Sequence, residues 1–471
     1  MSLLELKRPK TREKRLNALN AYLGDASPIL KDIEDNNVKQ RIRTFSQSTF
    51  DDIIYVLKTI STIRDSAIVI HGPAGCGSAQ LNFNSNKESG RVVVTNLDQK
   101  DSIMGGDRKL RQAINKLYKT YEPKVIFVVS TPVVAINNDD IESVVIELRE
   151  ELGIHIIPIY SDGFKSRNGI TGYDLALHGI SKYLISKNEQ GEKLDFANLI
   201  SISENIQDLK EVRIILQNIG LKINLLPRFG NFQNISNASK AKFSISINSD
   251  HGDYIGRALE EEYKVPFLES KSPIGVQGTV SWIETIAKTA GLDKEAGEYI
   301  NKAIKDLQPY LEQSRIDGIK VYINLPTLLA VGVAKLVEEL GGEVVGITVD
   351  HIDDLHKKEL EYIKSKNGKL QLHIASGQPF EEINLLNKIK PGLYISGFGK
   401  SALAAKYGIP VVSLNKISVL GFNGVVRFGH QVSKAIRNKN FINNINGSND
   451  PVYQNSWLKK SANWYIKQEV K

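Results

Sequence analysis

The sequence predicts an α/β fold in which parallel sheets are flanked by helices, arranged as three successive domains with an extension at each end. Short apolar, β-branched runs alternate with stretches of helical periodicity along most of the chain, which is typical of doubly wound sheets. The 471 residues exceed what one hydrophobic core accommodates and correspond to about three domains of ~150 residues each. The hydrophobic content of 41% and the charged content of 24% are ordinary for globular proteins.

The first predicted domain, residues 46–190, follows an N-terminal extension, residues 1–45, that is polar and lacks strand patterns. This extension is expected to be a helical or irregular lead-in, and wrapping a partner subunit is one role open to it. The buried strands expected in the first domain are Ala67–Ile70, Arg91–Thr95, Lys124–Val129 and Ile154–Ile159. Its expected helices are Arg108–Tyr118, Asp139–Leu152 and Tyr173–Leu184, with Asp139 and Asp140 as helix-start residues. Leu97–Gly106 is expected to be a loop.

The second and third predicted domains, residues 191–315 and 316–436, repeat this alternation. Expected strands of the second are Ala197–Ser203, Lys222–Leu225, Lys242–Ile247 and Val265–Leu268, with a long helical region, Thr279–Leu311, leading out. Expected strands of the third are Lys320–Ile323, Glu343–Thr348, Leu370–Ile374, Leu393–Ile395 and Val411–Ser413. The C-terminal tail, residues 437–471, is polar but carries Trp457 and Trp464, so we expect it to dock on a neighbouring domain or subunit.

Composition and charge exclude several classes of protein. No apolar run approaches the ~18 residues that cross a membrane, and the N-terminus lacks the apolar core of a signal peptide. A single cysteine excludes an intramolecular disulfide and favours a reducing, cytoplasmic location. The net charge of +8 is spread along the chain without a nucleic-acid-binding module, so no nucleic acid partner is expected.

The most informative loop is His71-Gly72-Pro73-Ala74-Gly75-Cys76-Gly77-Ser78, which follows a buried strand and contains that cysteine. Open α/β sheets bind ligands at the carboxyl ends of their strands. Gly75 lets the backbone approach a ligand closely, and the Cys76 thiolate is a natural ligand for a soft metal. His71 could orient a ligand or donate a hydrogen bond to it. The sequence thus nominates Cys76, Gly75 and His71 as cofactor-binding residues, with Cys76 as the metal ligand.

A purely structural interpretation of the same loop stays open. In it, the loop is a tight strand-to-helix turn, the cysteine is inert, and His71 is buried with its hydrogen bonds made to the backbone. If Cys76 does bind a cluster, one cysteine cannot hold it alone. The remaining ligands would then come from a second subunit or from other residue types.

Other candidate motifs are weaker. Gly397-Phe398-Gly399-Lys400-Ser401 resembles the end of a phosphate-binding loop, but Tyr394 replaces the required earlier glycine, so no nucleotide is expected on this chain. The eight histidines form no His-x-x-x-His pair. Asp250 and His251 lie in a loop that should face the same crevice as the strand ends, which makes them minor candidates for ligand contact. No catalytic residue is nominated.

An ordered series of loops resembles the nitrogenase component 1 family. After the cysteine loop come Asp101–Leu110 (DSIMGGDRKL), Ser130-Thr131-Pro132 with Asn138-Asp139-Asp140-Ile141, Gly163-Phe164 with Gly169–Asp174 (GITGYD), Pro391–Pro410, and Gly421-Phe422-Asn423-Gly424. The resemblance spans about residues 40 to 440. Each motif alone is weak, but their order is fairly specific to the family.

The resemblance implies three Rossmann-like domains and pairing with a homologous subunit in a heterodimer or heterotetramer. It also implies a separate ATP-dependent iron–sulfur reductase that delivers electrons. Members of the family reduce small substrates or serve as scaffolds for cofactor maturation.

The departures from the family pattern concern the metal ligands. Catalytic pairs use three cysteines from each subunit, whereas here the first position falls near Phe45-Ser46-Gln47 and the third at or beside Pro132, leaving only Cys76. The large-cofactor ligand positions offer Asn248, or a neighbour, and Asn415. A maturation-scaffold subunit with a single cluster cysteine is nevertheless known in the family.

The resulting hypothesis is a subunit of a nitrogenase-like component 1 complex, either a reductase or a maturation scaffold. It would share an iron–sulfur cluster, of the [4Fe–4S] type, with its partner through Cys76. The alternative is a metal-free, non-catalytic structural or regulatory subunit. Substrate, cluster occupancy, partner identity and α-like or β-like character stay open.

Overall fold

A computed structural model describes residues 2–44, 50–83, 91–202, 204–397, 401–438, 442, 444 and 453–468. They form two compact units. The first comprises Met1–Arg15, Phe50–Glu204 and Lys222–Ser270. The second comprises Leu16–Thr49, Asn205–Leu221 and Lys271–Lys471.

The strands are β1 Ala21–Gly24, β2 Arg41–Arg43, β3 Ser66–His71, β4 Val92–Val94, β5 Val125–Ser130, β6 His155–Ile159, β7 Ala197–Ser201, β8 Ile223–Pro227, β9 Ser244–Ser246, β10 Phe267–Leu268, β11 Lys320–Asn324, β12 Glu343–Val349, β13 Gln371–Ala375, β14 Leu393–Ser396, β15 Val411–Ser413 and β16 Ile466–Gln468.

The α-helices are α1 Arg12–Leu16, α2 Ser27–Glu34, α3 Asp52–Ile60, α4 Ala74–Phe83, α5 Gln99–Met104, α6 Asp107–Tyr121, α7 Pro132–Asn137, α8 Ile141–Leu152, α9 Thr171–Tyr183, α10 Ile206–Asn218, α11 Phe232–Ser236, α12 Ser249–Tyr263, α13 Gly275–Ala290, α14 Asp293–Gln313, α15 Thr327–Glu339, α16 Lys357–Lys364, α17 Pro379–Ile389, α18 Ser401–Lys406, α19 Gly421–Arg437 and α20 Asn455–Leu458. Short 3-10 helices are Asn237–Lys240, Asp354–His356 and Leu414–Lys416.

The first unit contains two parallel sheets. One has the strand order β4-β3-β5-β6, and the other has the order β10-β9-β7-β8. In the first sheet, Ile68 and Ile70 belong to one hydrophobic cluster while Ala67 and Val69 belong to another. Side chains alternate across a strand, so both faces of β3 are covered. This explains its unbroken apolar run, which is typical of parallel strands buried on both sides.

The second unit is built on a six-stranded sheet with the order β1-β13-β12-β11-β14-β15. All its neighbouring strands are parallel except β1, which pairs antiparallel with β13 at the sheet edge. β1 was not predicted from the sequence, because four residues, Ala21–Gly24, are too few to establish a period in a polar segment. The α/β fold class, with parallel sheets flanked by helices, is confirmed. The boundaries of three separate domains stay a prediction.

The C-terminal tail packs within the second unit, against a strand from the N-terminal extension. β16 pairs antiparallel with β2, and Leu458 and Tyr465 of the tail are buried. The Phe380 ring lies 5.8 Å from that of Trp457 and 6.3 Å from that of Tyr465. The tail thus docks on its own chain through its aromatic residues.

A buried ionic network fixes β2 in the second unit. Arg43 donates from Nε to Glu381 Oε1 at 2.8 Å, and His373 Nε2 lies 2.6 Å from Glu381 Oε2. Burial alone would raise the pKa of Glu381, but hydrogen bonds from His373 and Arg43 outweigh it and lower that pKa to about 2. The Glu381 carboxylate therefore stays ionised and binds two elements together.

Three element boundaries differ from the sequence predictions for clear physical reasons. The long helical region is two helices, α13 and α14, separated where Gly291 adopts φ 70°. The loop predicted over Leu97–Gly106 contains α5, because Asp98 caps its N-terminus. α4 begins at Ala74, so Cys76 lies in the first turn of a helix. In the part of the chain that the structure describes, no helix has both the length and the apolarity that crossing a membrane requires.

Candidate functional site

The cysteine loop leaves the carboxyl end of β3 and is shaped by two glycines. A Cβ on Gly72 would lie 2.0 Å from Thr131 Oγ1, and one on Gly77 would lie 2.4 Å from Val94 Cγ2. Both distances are far shorter than any real carbon contact. The packing of this chain therefore requires glycine at these two positions.

Gly75 is different because its surroundings do not require a glycine. It is exposed, and among the residues that the structure describes no heavy atom lies within 4 Å of a Cβ placed there. Its φ also lies outside the range that favours glycine. The missing side chain leaves open space directly beside Cys76, where another molecule can approach the backbone closely.

Cys76 is a free, partly buried thiol at the third position of α4. Burial, and secondarily the carboxylate of Asp51, raises the pKa of this thiol. At neutral pH the thiol is accordingly protonated. A metal ion reverses this preference, since coordination deprotonates a thiol outright. The residue is suited to metal ligation and poorly suited to act as a free nucleophile.

His71 lies behind this loop and is completely buried. Its Nδ1 is 3.1 Å from Thr95 Oγ1, and its Nε2 is 3.3 Å from Asp139 Oδ2. Thr131 donates to the His71 carbonyl at 2.8 Å. Because these partners follow β4 and β5, His71 joins the loops of three adjacent strands. It positions the Cys76 loop, and a direct contact with a ligand stays a prediction.

Asp139 and Asp140, which precede α8, make different contacts. Asp140 is the N-cap and accepts from the Ser143 N–H at 3.2 Å, as helix-start residues do. Asp139 instead faces His71 and accepts from the Gly106 N–H at 3.2 Å. Sequence spacing indicated two helix-start residues but contained no signal that one of them faces inward.

Exposed apolar side chains occupy the same edge of this sheet. Ile103 and Met104 of α5 are 82% and 77% exposed, Ile136 of α7 is 71% exposed, and Phe164, which follows β6, is 51% exposed. We call these four residues the apolar rim. They lie at the edge where Cys76 emerges, since the loops after parallel strands share one edge. The rim was not predicted from the sequence. The one available signal was the Ile103-Met104 pair at the end of a short helix, directly before Gly105-Gly106.

A buried carboxylate pair is formed by Asp52, the first residue of α3, and Asp162, which follows β6. Asp52 accepts from the Gly163 N–H at 2.8 Å, and Asp162 is bound by Arg8. Burial, and next the charge of Asp162, raises the pKa of Asp52 to about 6. This pair was also absent from the sequence predictions, because nothing in the sequence brings residues 52 and 162 together.

The remaining sequence candidates have structural partners. Arg12 binds Asp250 with Nη2 at 2.5 Å from Oδ1, and the centre of the His251 ring lies 4.7 Å from that of Tyr173, with the two rings tilted by 45°. Asn248 is the N-cap of α12, and Asn415 lies in a 3-10 helix. The phosphate-loop-like residues 398–400 and the segment Phe45-Ser46-Gln47 lie outside the described residues.

Comparisons with known proteins show which family this chain resembles. Residues 56–437 match the family model of the nitrogenase component 1 type oxidoreductases. The nitrogenase iron-molybdenum cofactor biosynthesis protein NifE of Methanococcus maripaludis is 24% identical over 92% of this chain and 93% of its own length. The nitrogenase molybdenum-iron protein alpha chain of Methanosarcina barkeri is 30% identical over 63% of this chain and 59% of its own.

The solved structure described as nitrogenase Cp1 at pH 5 has the same fold, with a TM-score of 0.72 at 22% identity over 84% of this chain and 90% of that one. The family model covers most of this chain, from the helix before β3 to the end of α19. The chain therefore belongs to the nitrogenase component 1 type oxidoreductase family.

Proposed function

We propose that this chain is one subunit of a cofactor-biosynthesis complex of the NifE kind. In it, Cys76 supplies one thiolate to an iron–sulfur cluster shared with a homologous partner subunit. The observation that carries the proposal is the pairing of Cys76 with Gly75, a thiol beside open space that the chain's own packing does not fill. A metal cluster at a subunit interface accounts for both residues.

The number of available cysteines supports a cluster that is shared between two subunits rather than one that this chain holds alone. A [4Fe–4S] cluster takes about four protein ligands, usually thiolates, and the chain has one cysteine. Such a cluster, when bound, stores and passes electrons. The contribution of this chain would be one thiolate in a helix first turn, where the helix dipole favours negative charge, with His71 behind it fixing the loop.

The apolar rim supports a docking role for the same edge. Ile103, Met104 and Ile136 are more than two-thirds exposed, although burying such side chains is normally favourable. An ATP-dependent iron–sulfur reductase that delivers electrons to the cluster must dock within reach of Cys76. The rim provides an apolar surface at that place.

A biosynthetic role is favoured over substrate reduction by two observations. By resemblance the positions of the large cofactor's ligands fall at Asn248, or a neighbour, and near Asn415. These two asparagines provide neither thiolate nor imidazole, and the Asn248 side chain is used as a helix cap. The NifE relative matches 93% of its own length, whereas the nitrogenase alpha chain matches 59%.

A second candidate function is a metal-free structural subunit of such a complex. It is favoured by the loss of the companion cysteines and by the raised pKa of Cys76, which suits an unligated thiol. The two functions differ in one measurable property, namely cluster iron that depends on Cys76.

The test is anaerobic co-expression of the chain with the homologous subunit encoded beside it. Iron, acid-labile sulfide and the EPR spectrum of the reduced complex are compared between the native chain and Cys76→Ala. Ser78→Ala, an exposed residue of the same helix, is the matched control. We expect Cys76→Ala to lose or alter the cluster signal and Ser78→Ala to retain it. Equal iron and an identical spectrum in all three complexes would refute the cluster role of Cys76.

A further inference from the structure

A second group of metal-ligating side chains lies in the other unit, in the loop after β12. His351, Asp353 and His356 are all completely buried, and each can direct one ligand atom so that these atoms lie within 4.8 Å of one another. The loop leaves the carboxyl end of a parallel strand, where α/β sheets place ligands. None of these residues is among those nominated from the sequence.

Local folding explains why the three side chains converge. Asp353 caps the 3-10 helix Asp354–His356, and its carboxylate accepts the Leu355 N–H at 3.1 Å. This turn places His356 Nδ1 2.9 Å from Asp353 Oδ1, and the Asp353 N–H donates to the same nitrogen at 3.1 Å, which holds the ring in place. Thr327 donates to the His351 carbonyl at 2.5 Å and fixes the start of the loop. The cluster is thus held by short-range geometry and neighbouring backbone.

The ligand types and spacings fit a metal ion. His351 Nε2 lies 3.5 Å from Asp353 Oδ2. In a tetrahedral site with nitrogen and oxygen ligands at ~2.0–2.2 Å from the metal, the ligand atoms lie about 3.3–3.6 Å apart. Two imidazoles and one carboxylate are a common protein ligand set for zinc and for iron(II), with water or substrate completing the coordination.

His351 also has the outer partner that metal-bound histidines usually have. Its Nδ1 lies 3.2 Å from Asp350 Oδ1, so carboxylates face both ring nitrogens. A neutral imidazole has one N–H and can donate to only one of them. The lone pair of the nitrogen without a hydrogen then points at a carboxylate, and the two repel each other. A metal cation bound between that nitrogen and the carboxylate turns this repulsion into attraction. A carboxylate on the outer nitrogen orients the ring and strengthens the inner nitrogen as a ligand.

We propose that His351, Asp353 and His356 bind one divalent first-row transition-metal ion, with Asp350 positioning His351. This site is separate from the Cys76 cluster and uses only nitrogen and oxygen ligands. Zinc is the probe of choice because it is redox-inert and accepts this ligand set.

The experiment uses the full-length chain carrying Cys76→Ala, so that it does not depend on the iron–sulfur cluster. The protein is stripped with a chelator, incubated with Zn²⁺ and separated from free metal, and bound zinc is counted. We expect one zinc per chain and a zinc X-ray absorption spectrum with imidazole ligands and no sulfur. Asp353→Asn and His356→Gln should each abolish retention, whereas Asp350→Asn should weaken binding about 10–100-fold.

His373→Gln is the matched control, because His373 is an equally buried histidine of the same unit that is bonded to Glu381 instead. It should retain the zinc. A folded chain that takes up no zinc would overturn the proposal and leave the cluster as a metal-free hydrogen-bonded network of histidines and carboxylates. Uptake unchanged by Asp353→Asn would also overturn it. If that variant does not fold, the absorption spectrum of the Cys76→Ala chain decides, and a spectrum without imidazole ligands refutes the site.

Discussion

The loops after β3 and β12 leave their sheets in the same way but present their metal-ligating residues differently. Cys76 is partly exposed beside an open glycine, whereas His351, Asp353 and His356 are wholly buried. One thiolate is an incomplete ligand set for a cluster, while two imidazoles and a carboxylate suffice for a mononuclear ion. We therefore expect Cys76 to act at a subunit interface and the His351 site to bind its metal without a partner.

The largest expected effect follows directly from this contrast and concerns the partner subunit. We expect no iron–sulfur absorption from the chain expressed alone and clear absorption from the co-expressed complex, because Cys76 is the sole thiol of the chain. Zinc retention at the His351 site should be the same in both. Visible absorption, labile sulfide and bound zinc provide the measurements. A cluster assembled by the chain alone would contradict the distinction between the two loops.

The carboxylates buried in the two units should respond to pH in opposite directions. In the second unit, the pKa of Glu381 is lowered to about 2, so its ion pairs stabilise the fold above its ordinary pKa and are lost as pH falls towards 2. Glu381→Gln leaves Arg43 and His373 without their anion and should cost about 3–5 kcal/mol at neutral pH. Urea unfolding at several pH values measures this. A variant as stable as the native chain at pH 7 would show that the ion pairs of Glu381 do not contribute to the free energy of unfolding.

Asp52 in the first unit should show the opposite dependence. Its pKa is raised to about 6, so the folded chain holds the proton more tightly, and ionisation destabilises the fold as pH rises through that range. Asp52→Asn cannot ionise but still offers an oxygen to the Gly163 N–H. From about pH 5 to pH 7.5 the native chain should lose on the order of 1–1.5 kcal/mol relative to the variant. Parallel pH profiles of the two proteins would exclude a raised pKa.

The glycines around Cys76 separate what the fold requires from what a partner requires. Gly72→Ala forces a Cβ against Thr131 and should destabilise the chain by about 1–3 kcal/mol. Gly75→Ala meets nothing and, in an exposed helical position, should leave stability equal or raise it by up to about 1 kcal/mol. Only in the co-expressed complex should Gly75→Ala lower cluster content. Equal destabilisation by both substitutions in the isolated chain would remove the evidence that Gly75 faces a partner.

The sequence predicted the parts of the fold that depend on local pattern. The apolar runs of β3 and β5 could only be strands covered on both faces, and Asp140 is a helix cap as its position indicates. Long-range pairings could not be predicted from local pattern. Nothing near residue 71 indicates that Asp139 approaches it, and His351, Asp353 and His356 converge only after a 3-10 turn forms. The Cys76 loop was found because a lone cysteine between glycines is conspicuous in any sequence.

The smallest expected effect on stability tests the apolar rim. Met104→Ser replaces a side chain that is 77% exposed, so the free energy of unfolding should change by less than about 0.5 kcal/mol. If the rim docks the reductase, losing one apolar contact of about 1 kcal/mol should weaken reductase binding roughly five-fold. Tyr121→Ser is the control, because Tyr121 is exposed at the opposite edge of the sheet, just before β5. If both substitutions change the reductase dissociation constant equally, the reductase docks elsewhere, and the exposure of the rim must be explained by a different partner.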